Sequence, residues 1–417
     1  MALTGLQIQK LLPKTNCKEC GSNTCLAFAM KLAGKQAELS ECPYASDEAK
    51  AILGAASEPP VKQLTLGDAK VGGELYLYRH EKTFMNQTIL AVNVNDTDAG
   101  LEDTIKQVKD YVLERVGDTL KYGAIAVTQT QDDPGKFLEA VKAVSAAGCP
   151  AILRAKSAAA AKDAAALIKE TGGIIANVTA ETADELAGAA KDNGLVLAVT
   201  GAAIDDIAAV TGKLKEGGFN DMLLTLPAGT LSQRFQMNTV ARRAALGNVK
   251  AMGYSFLHFV ESDDLYDMLR EGTNEICKYG GVIVFPKFDI AVISTLMTLR
   301  QNIFTDPQKP IQMEPGMYKI GEPDENSYVW TTTNFSLTYF LVTGEIEGAG
   351  QNAWVMLPEC EGLSVLTAWA AGKFGGDMIA KFAKEQGLED SQKNKSMIIP
   401  GYVAQIKGDI EEGLPGW

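Results

Sequence analysis

Four cysteines crowd the start of the chain as Cys17-x2-Cys20-x4-Cys25-x16-Cys42, and thiolates are soft ligands suited to zinc or iron–sulfur centres. A structural zinc site usually takes two C-x2-C knuckles, each supplying a tight pair of tetrahedral ligands. The middle spacing of four and the isolated Cys42 fit that poorly. A cubane [4Fe–4S] cluster is wider, and tolerates a C-x2-C-x4-C loop plus one distant ligand. Cys17, Cys20, Cys25 and Cys42 are therefore expected to hold one such cluster, with zinc or unligated thiols as the alternatives. Thr24 sits where a helix N-cap would aim free N–H groups at an anionic centre. Gly21 can take a left-handed turn between ligands, and Lys14, Lys18 and Lys31 add local positive charge. The other reactive types are sparse. His80 and His258 are the only histidines, which excludes chemistry that needs several His ligands. Both read as packing or surface residues, and Cys149 and Cys277 as ordinary thiols.

The elements that must carry these residues are those of a large α/β chain. At 417 residues, 46% of them apolar and 22% charged, the chain exceeds one ordinary core and calls for two or three domains. No run approaches the roughly 20 apolar residues that span a bilayer, so no membrane is expected. A net charge of −13 argues against nucleic acid. An odd cysteine total without a signal peptide points to a reducing cytoplasm.

Three segments follow. Residues 1–58 form a small cysteine unit: an apolar helix ending near Pro13, the cysteine loop, and a helix over Thr24–Gln36. A polar turn, Ser57–Pro60, ends it. Residues 62–303 alternate β-rich runs (ILAVNV, AIAVTQ, AILRA, GGIIANV, LVLAVTG, DMLLTL, GVIVF and VKAMGYSFL) with helical stretches such as DTIKQVKDYVLERV and TADELAGAAKDN. That pattern predicts a (β/α)8 TIM barrel, with a doubly wound sheet as the alternative. Residues 304–330 read as a linker. Residues 331–417 read as a small Rossmann-like unit with strands at AWVMLPE and SMIIPGYVA and helices at GLSVLTAWAAGKF and GDMIAKFAKEQG.

The run N-C-K-E-C-G-S-N-T-C-L-A-F-A-M followed by E-C-P resembles the cluster domain of the corrinoid iron–sulfur protein large (gamma) subunit family. T-T-N-F-S-L-T-Y at 332–339, E-G-L-S-V-L-T-A at 361–368 and R-Q-N-I-F-T-D-P-Q-K-P at 300–310 are similar to that family too, so the resemblance spans the chain. It implies a [4Fe–4S] domain, a barrel and a C-terminal corrinoid-binding domain, working as a heterodimer with a small subunit. The corrinoid would take a methyl group from methyltetrahydrofolate, or a tetrahydropterin relative, through a methyltransferase. It would pass that group to acetyl-CoA synthase/CO dehydrogenase. The cluster, fed by a donor such as ferredoxin, would reactivate cobalt oxidised to Co(II). Members of the family continue past the L-x-G-W segment, so a shortened chain or a species difference is expected at Trp417.

Residue types support a carrier. From residue 304 onward there is no histidine, so that unit cannot ligate cobalt through His, and a base-off corrinoid is expected. Thr332, Thr333, Asn334, Thr338 and Tyr339 in the first motif are candidate corrinoid contacts. In the second motif the candidates are Gly362, Leu363, Ser364, Val365, Leu366 and Thr367, with Thr367 beside the axial position of cobalt. Bland strand and N-cap roles are the alternative for all of them. No catalytic residue stands out in the barrel, where Glu261, Asp263 and Asp264 read as a solvated helix start. Two other functions remain: an iron–sulfur activator of another corrinoid protein, and a zinc-stapled structural barrel.

Overall fold

The computed structural model describes residues 5–33, 37, 39–46, 49, 59–81, 83–116, 118–306 and 311–417. The expected end of the second helix at 34–36, Ser57 and Glu58 of the polar turn, and motif residues 307–310 lie outside them.

The cysteine unit begins with the helix Gly5–Leu11, which stops before Pro13, followed by the helix Cys25–Ala33. Thr24 caps the second, its hydroxyl accepting the Ala27 N–H at 3.0 Å. Ile8, Leu12, Phe28 and Ala29 pack with Cys25 and Cys42 into one small core.

Next comes the hairpin of β1 (Leu64–Leu66) and β2 (Ala69–Val71). It is followed by β3 (Ile89–Asn95) and a second hairpin, β4 (Val112–Arg115) with β5 (Asp118–Lys121). Strands β6 (Ala124–Thr128), β7 (Ala151–Arg154), β8 (Gly173–Val178), β9 (Val196–Thr200), β10 (Met222–Thr225), β11 (Phe256–Phe259) and β12 (Gly280–Phe285) complete a closed barrel with β3. All its pairings are parallel and run in chain order, with β12 returning to β3. Its interior is filled by alternate aliphatic residues such as Ile152, Ile174, Ala198 and Val282, so it is a packed core. The first hairpin joins that core through Leu64, Leu66 and Val71, and Gly67 abuts Pro150 just before β7. It closes the barrel's N-terminal end.

One expected helix is shorter than its periodicity suggests. DTIKQVKDYVLERV is helical only to Asp110, and Val112–Arg115 is strand β4. Tyr111 and Val112 favour extended backbone, and pairing with β5 decides the matter.

The C-terminal unit is a four-stranded sheet in the order β13 (Gly316–Ile320), β15 (Ala353–Leu357), β14 (Tyr328–Thr331), β16 (Met397–Ile398). β14, β15 and β16 are parallel, and β13 pairs antiparallel with β15 at the edge. Residues 316–320, read as linker, are thus part of the sheet. A half-buried edge strand among prolines and glycines carries little alternation to betray it. SMIIPGYVA pairs only at Met397 and Ile398. Pro400 has no N–H for the ladder, and Gly401–Ile406 turns into a 3-10 helix before the helix Lys407–Gly413. The helix expected over GLSVLTAWAAGKF is reduced to Val365–Ala370.

Candidate cofactor sites

The cysteine loop is wound tightly. Lys14, Asn16, Lys18 and Gly21 all have positive φ, between 50° and 71°. For three non-glycine residues this is strained backbone of the kind kept where a ligand is wrapped. Asn16 Oδ1 accepts the Cys25 N–H at 2.8 Å, fixing Cys25 at the first residue of its helix. Cys25 and Cys42 are buried, and Cys17 and Cys20 half-buried. Ser22 is buried, and its hydroxyl has no hydrogen-bond partner. Cys20, Cys25 and Cys42 share one core, yet no three His, Cys, Asp or Glu side chains among the described residues stand close enough to hold a metal ion. The donor types themselves suit iron–sulfur ligation, since thiols are soft ligands and Cys25 opens a helix.

The second site lies at the end of β14. The helix Ser336–Gly348 carries the chain from β14 to β15 on one side, and β16 lies on the other. Crossovers of opposite direction leave a crevice outside the carboxyl ends of such strands, where α/β sheets bind ligands. Thr331 uses its hydroxyl internally, donating to Met356 O at 3.1 Å. The next residues do not. Thr332, Thr333 and Ser336 are 1%, 0% and 5% exposed, and none of their hydroxyls has a partner. A buried hydroxyl without a hydrogen bond costs about 1–3 kcal/mol. Three within five residues suit a ligand rimmed with amides and hydroxyls.

Asn334, fully buried between them, organises the neighbouring loop. Its Oδ1 accepts the N–H groups of Cys360 and Gly362, each at 3.1 Å, and its Nδ2 donates to Met313 O and Glu359. Glu361 and Gly362 take left-handed φ of 55° and 64° in that loop. Gly362 is buried, Leu363 and Val365 are half-buried, and Ser364 and Leu366 are exposed. Ser364 precedes the short helix Val365–Ala370 but does not cap it. Its hydroxyl lies 2.9 Å from that of exposed Thr367, so the Thr367 hydroxyl already has a neighbour within the chain. Thr338 is half-buried on its helix. Tyr339 tilts against Tyr318 of β13, ring centres 5.2 Å apart. The structure thus joins the two motifs through Asn334, and sets Tyr339 against the edge strand.

The sequence marked Asn334 only as a candidate corrinoid contact, not as the residue that holds the neighbouring loop. Its partners lie 21 to 28 residues away, and no local pattern marks such a hub. Cys360 is buried, its thiol donating to Lys373 O, and burial pushes its pKa up to about 12. His258 lies 2.6 Å from Glu271, and exposed His80 stacks on Tyr78. Glu261 pairs with Arg154, while Asp264 caps the helix Leu265–Cys277.

A family profile described as CO dehydrogenase/acetyl-CoA synthase delta subunit matches residues 63–417, and one described as a putative Fe–S cluster matches residues 12–44. Over its whole length the chain is 36% identical to the corrinoid/iron–sulfur protein large subunit of Moorella thermoacetica, across 95% of that protein. It is 30% identical to the acetyl-CoA decarbonylase/synthase complex subunit gamma of Methanopyrus kandleri, again over its full length and 94% of the relative. The first profile is named for a delta subunit and begins after the cysteines. The full-length relatives, named large or gamma, include the cysteine segment. Dihydropteroate synthase of Thermus thermophilus aligns over 59% of this chain and all of its own at 14% identity and a TM-score of 0.42, which adds nothing to the strand order given above.

Proposed function

The chain belongs to the corrinoid/iron–sulfur protein large (gamma) subunit family, and from that premise we propose how its own residues serve a methyl carrier of the acetyl-CoA pathway. When bound, the corrinoid supplies a cobalt that takes up and hands on the methyl group, and the [4Fe–4S] cluster supplies the electron that reactivates it. Everything else falls to the protein.

Residues 1–58 form the cluster unit in this reading, with Cys17, Cys20, Cys25 and Cys42 as ligands. Residues 62–303 form the barrel. The Rossmann-like corrinoid unit starts by β13 and runs to Trp417. The observation that carries the corrinoid assignment is the run of buried, unpartnered hydroxyls at Thr332, Thr333 and Ser336. They would donate to the macrocycle's amide rim or its nucleotide tail. Asn334 holds the Cys360–Gly362 backbone in place beside them. Leu363, Val365 and Leu366 offer an apolar wall, and Thr367, paired with Ser364, offers a hydroxyl that does not coordinate a metal. With no histidine beyond residue 304, the unit would hold a base-off corrinoid without a His ligand from itself.

Leu337, Phe340, Leu341, Leu366 and Trp369 are each between 43% and 63% exposed on helices flanking this loop. Such an apolar surface supports a covering partner, the small subunit of a heterodimer. A methyltransferase, acetyl-CoA synthase/CO dehydrogenase and an electron donor such as ferredoxin would be the transient partners. Among the described residues no helix is long and apolar enough to cross a membrane. A cytoplasmic site of action belongs to the same proposal.

An absorption spectrum of anaerobically purified protein, with iron and cobalt counts, tests this. The expected result is corrinoid bands together with about four iron and about one cobalt per chain. Iron without corrinoid would favour an electron-transfer activator, and a colourless zinc protein would favour a structural barrel. Cys20→Ala should abolish the iron stoichiometry and reductive reactivation, while methyl transfer from chemically reduced cobalt survives.

A further inference from the structure

Away from both sites, a cavity of about 1110 Å³ opens beneath the barrel, between the β1–β2 hairpin, the β4–β5 hairpin and the N-terminal ends of β3, β6 and β7. Its charged lining is Lys70, Lys109, Lys121 and Arg300 against Asp68 and Glu170. That is a cationic surplus in a chain of net charge −13.

Arg300 is the unusual member. It is 6% exposed, and its Nη1 donates to Thr88 O at 2.8 Å. Its Nε is buried with no partner, and no carboxylate among the described residues forms an ion pair with it. Burial alone pulls its pKa down to about 10. A buried guanidinium is ordinarily matched. Among the described residues the two other buried arginines each face a carboxylate: Arg242, 2% exposed, has Glu74 at 3.6 Å and the Tyr279 ring at 4.5 Å, and Arg234 has Glu275 at 3.9 Å. A second observation points the same way. Tyr122 also lines the cavity; its buried hydroxyl has no hydrogen-bond partner, and Tyr111 and Asp289 are the titratable groups that act on it.

We propose that this cavity binds an oxyanion carried by a small molecule, either a phosphorylated compound or a polycarboxylate. Arg300 and Tyr122 would donate to it, and Lys70, Lys109 and Lys121 would surround it. A site of this volume accommodates a whole metabolite. It stands at the end of the barrel opposite the strand carboxyl termini, so it is separate from any chemistry at the barrel's mouth. Arg300 also opens the motif at residues 300–310, for which the methyl-carrier reading has no use.

Titration calorimetry on the full-length protein tests the proposal, with sodium phosphate and sodium citrate as probes against chloride at matched ionic strength. Saturable heat with at least one probe is expected. Phosphate alone assigns a phosphorylated ligand, and citrate alone a polycarboxylate. Arg300→Met should weaken binding by at least about tenfold. Because that change also removes the bond to Thr88 O, the double variant K70A/K121A provides the second arm. Both lysines are exposed, so it should fold normally and bind several-fold more weakly. No saturable heat with either probe, or wild-type affinity in K70A/K121A, overturns the proposal.

Discussion

Within the barrel wall, Arg242 lies against Glu74 and the Tyr279 ring, and Asn238 donates to buried Glu275 at 3.0 Å. At the end of β14, Thr332, Thr333 and Ser336 bury three hydroxyls that bond to nothing. The two regions are equally deep in protein but answer burial differently. The barrel matches most of its buried charges from within the chain, as a scaffold must if it is to fold alone. The C-terminal loop leaves three donors unmatched within five residues, at a cost of about 1–3 kcal/mol each that an acceptor from another molecule would remove.

The comparison breaks most visibly at Arg242. Arg242→Met should destabilise the protein by about 3–5 kcal/mol, because Glu74 is left buried without its cation. Urea unfolding reads this directly. Burial already raises the Glu74 pKa against the lowering pull of Arg242, so the variant should also gain stability on mild acidification, as Glu74 protonates more readily in the fold.

Asn334→Ala comes next. It strips the Cys360 and Gly362 N–H groups of their acceptor and should cost about 2–4 kcal/mol. Because it frees the Glu361–Ser364 loop, corrinoid content after gel filtration should fall as well. Loss of stability with full corrinoid content would reduce Asn334 to a packing residue.

The sharpest contrast lies between neighbours. Thr331→Val removes a hydroxyl bonded to Met356 O and should cost about 1 kcal/mol. Thr333→Val removes one bonded to nothing, and the corrinoid-free protein should change by less than about 0.5 kcal/mol or become more stable. Only the second should lose corrinoid affinity, by several-fold. Equal destabilisation by both would show that the Thr333 hydroxyl has a partner within the chain.

The smallest effect belongs to Cys360. Burial raises its thiol from 9.0 to about 12. The folded state therefore keeps this proton while the unfolded chain loses it. The contribution to stability is present below about pH 9 and is lost as pH rises towards 12. Mapping of iodoacetamide adducts at pH 8.5 should leave Cys360 unmodified in the folded protein. Rapid labelling there would mean that the loop opens.

Much of this was legible beforehand, and for a local reason. The barrel strands announce themselves as short aliphatic runs because both faces of each strand are covered. The cap at Thr24 follows from the residue type beside a helical stripe. The four cysteines are conspicuous because soft ligands at short spacing have few other uses. Edge strand β13 stayed hidden, since most of its residues are of intermediate exposure and show no two-residue alternation. The strand-forming residues after Asp110 were obscured by the amphipathic helix before them.

What the sequence determined by itself, then, was composition and local preference: alternating strands and helices, a thiol set, and a C-terminal unit with no histidine to offer a metal. Only the tertiary structure decided which polar groups would be left over. Arg300 meets Thr88 across 212 residues, and Asn334 meets Gly362 across 28. Whether a buried donor finds an acceptor depends on what the fold brings to it from such distances, and local sequence carries no record of that.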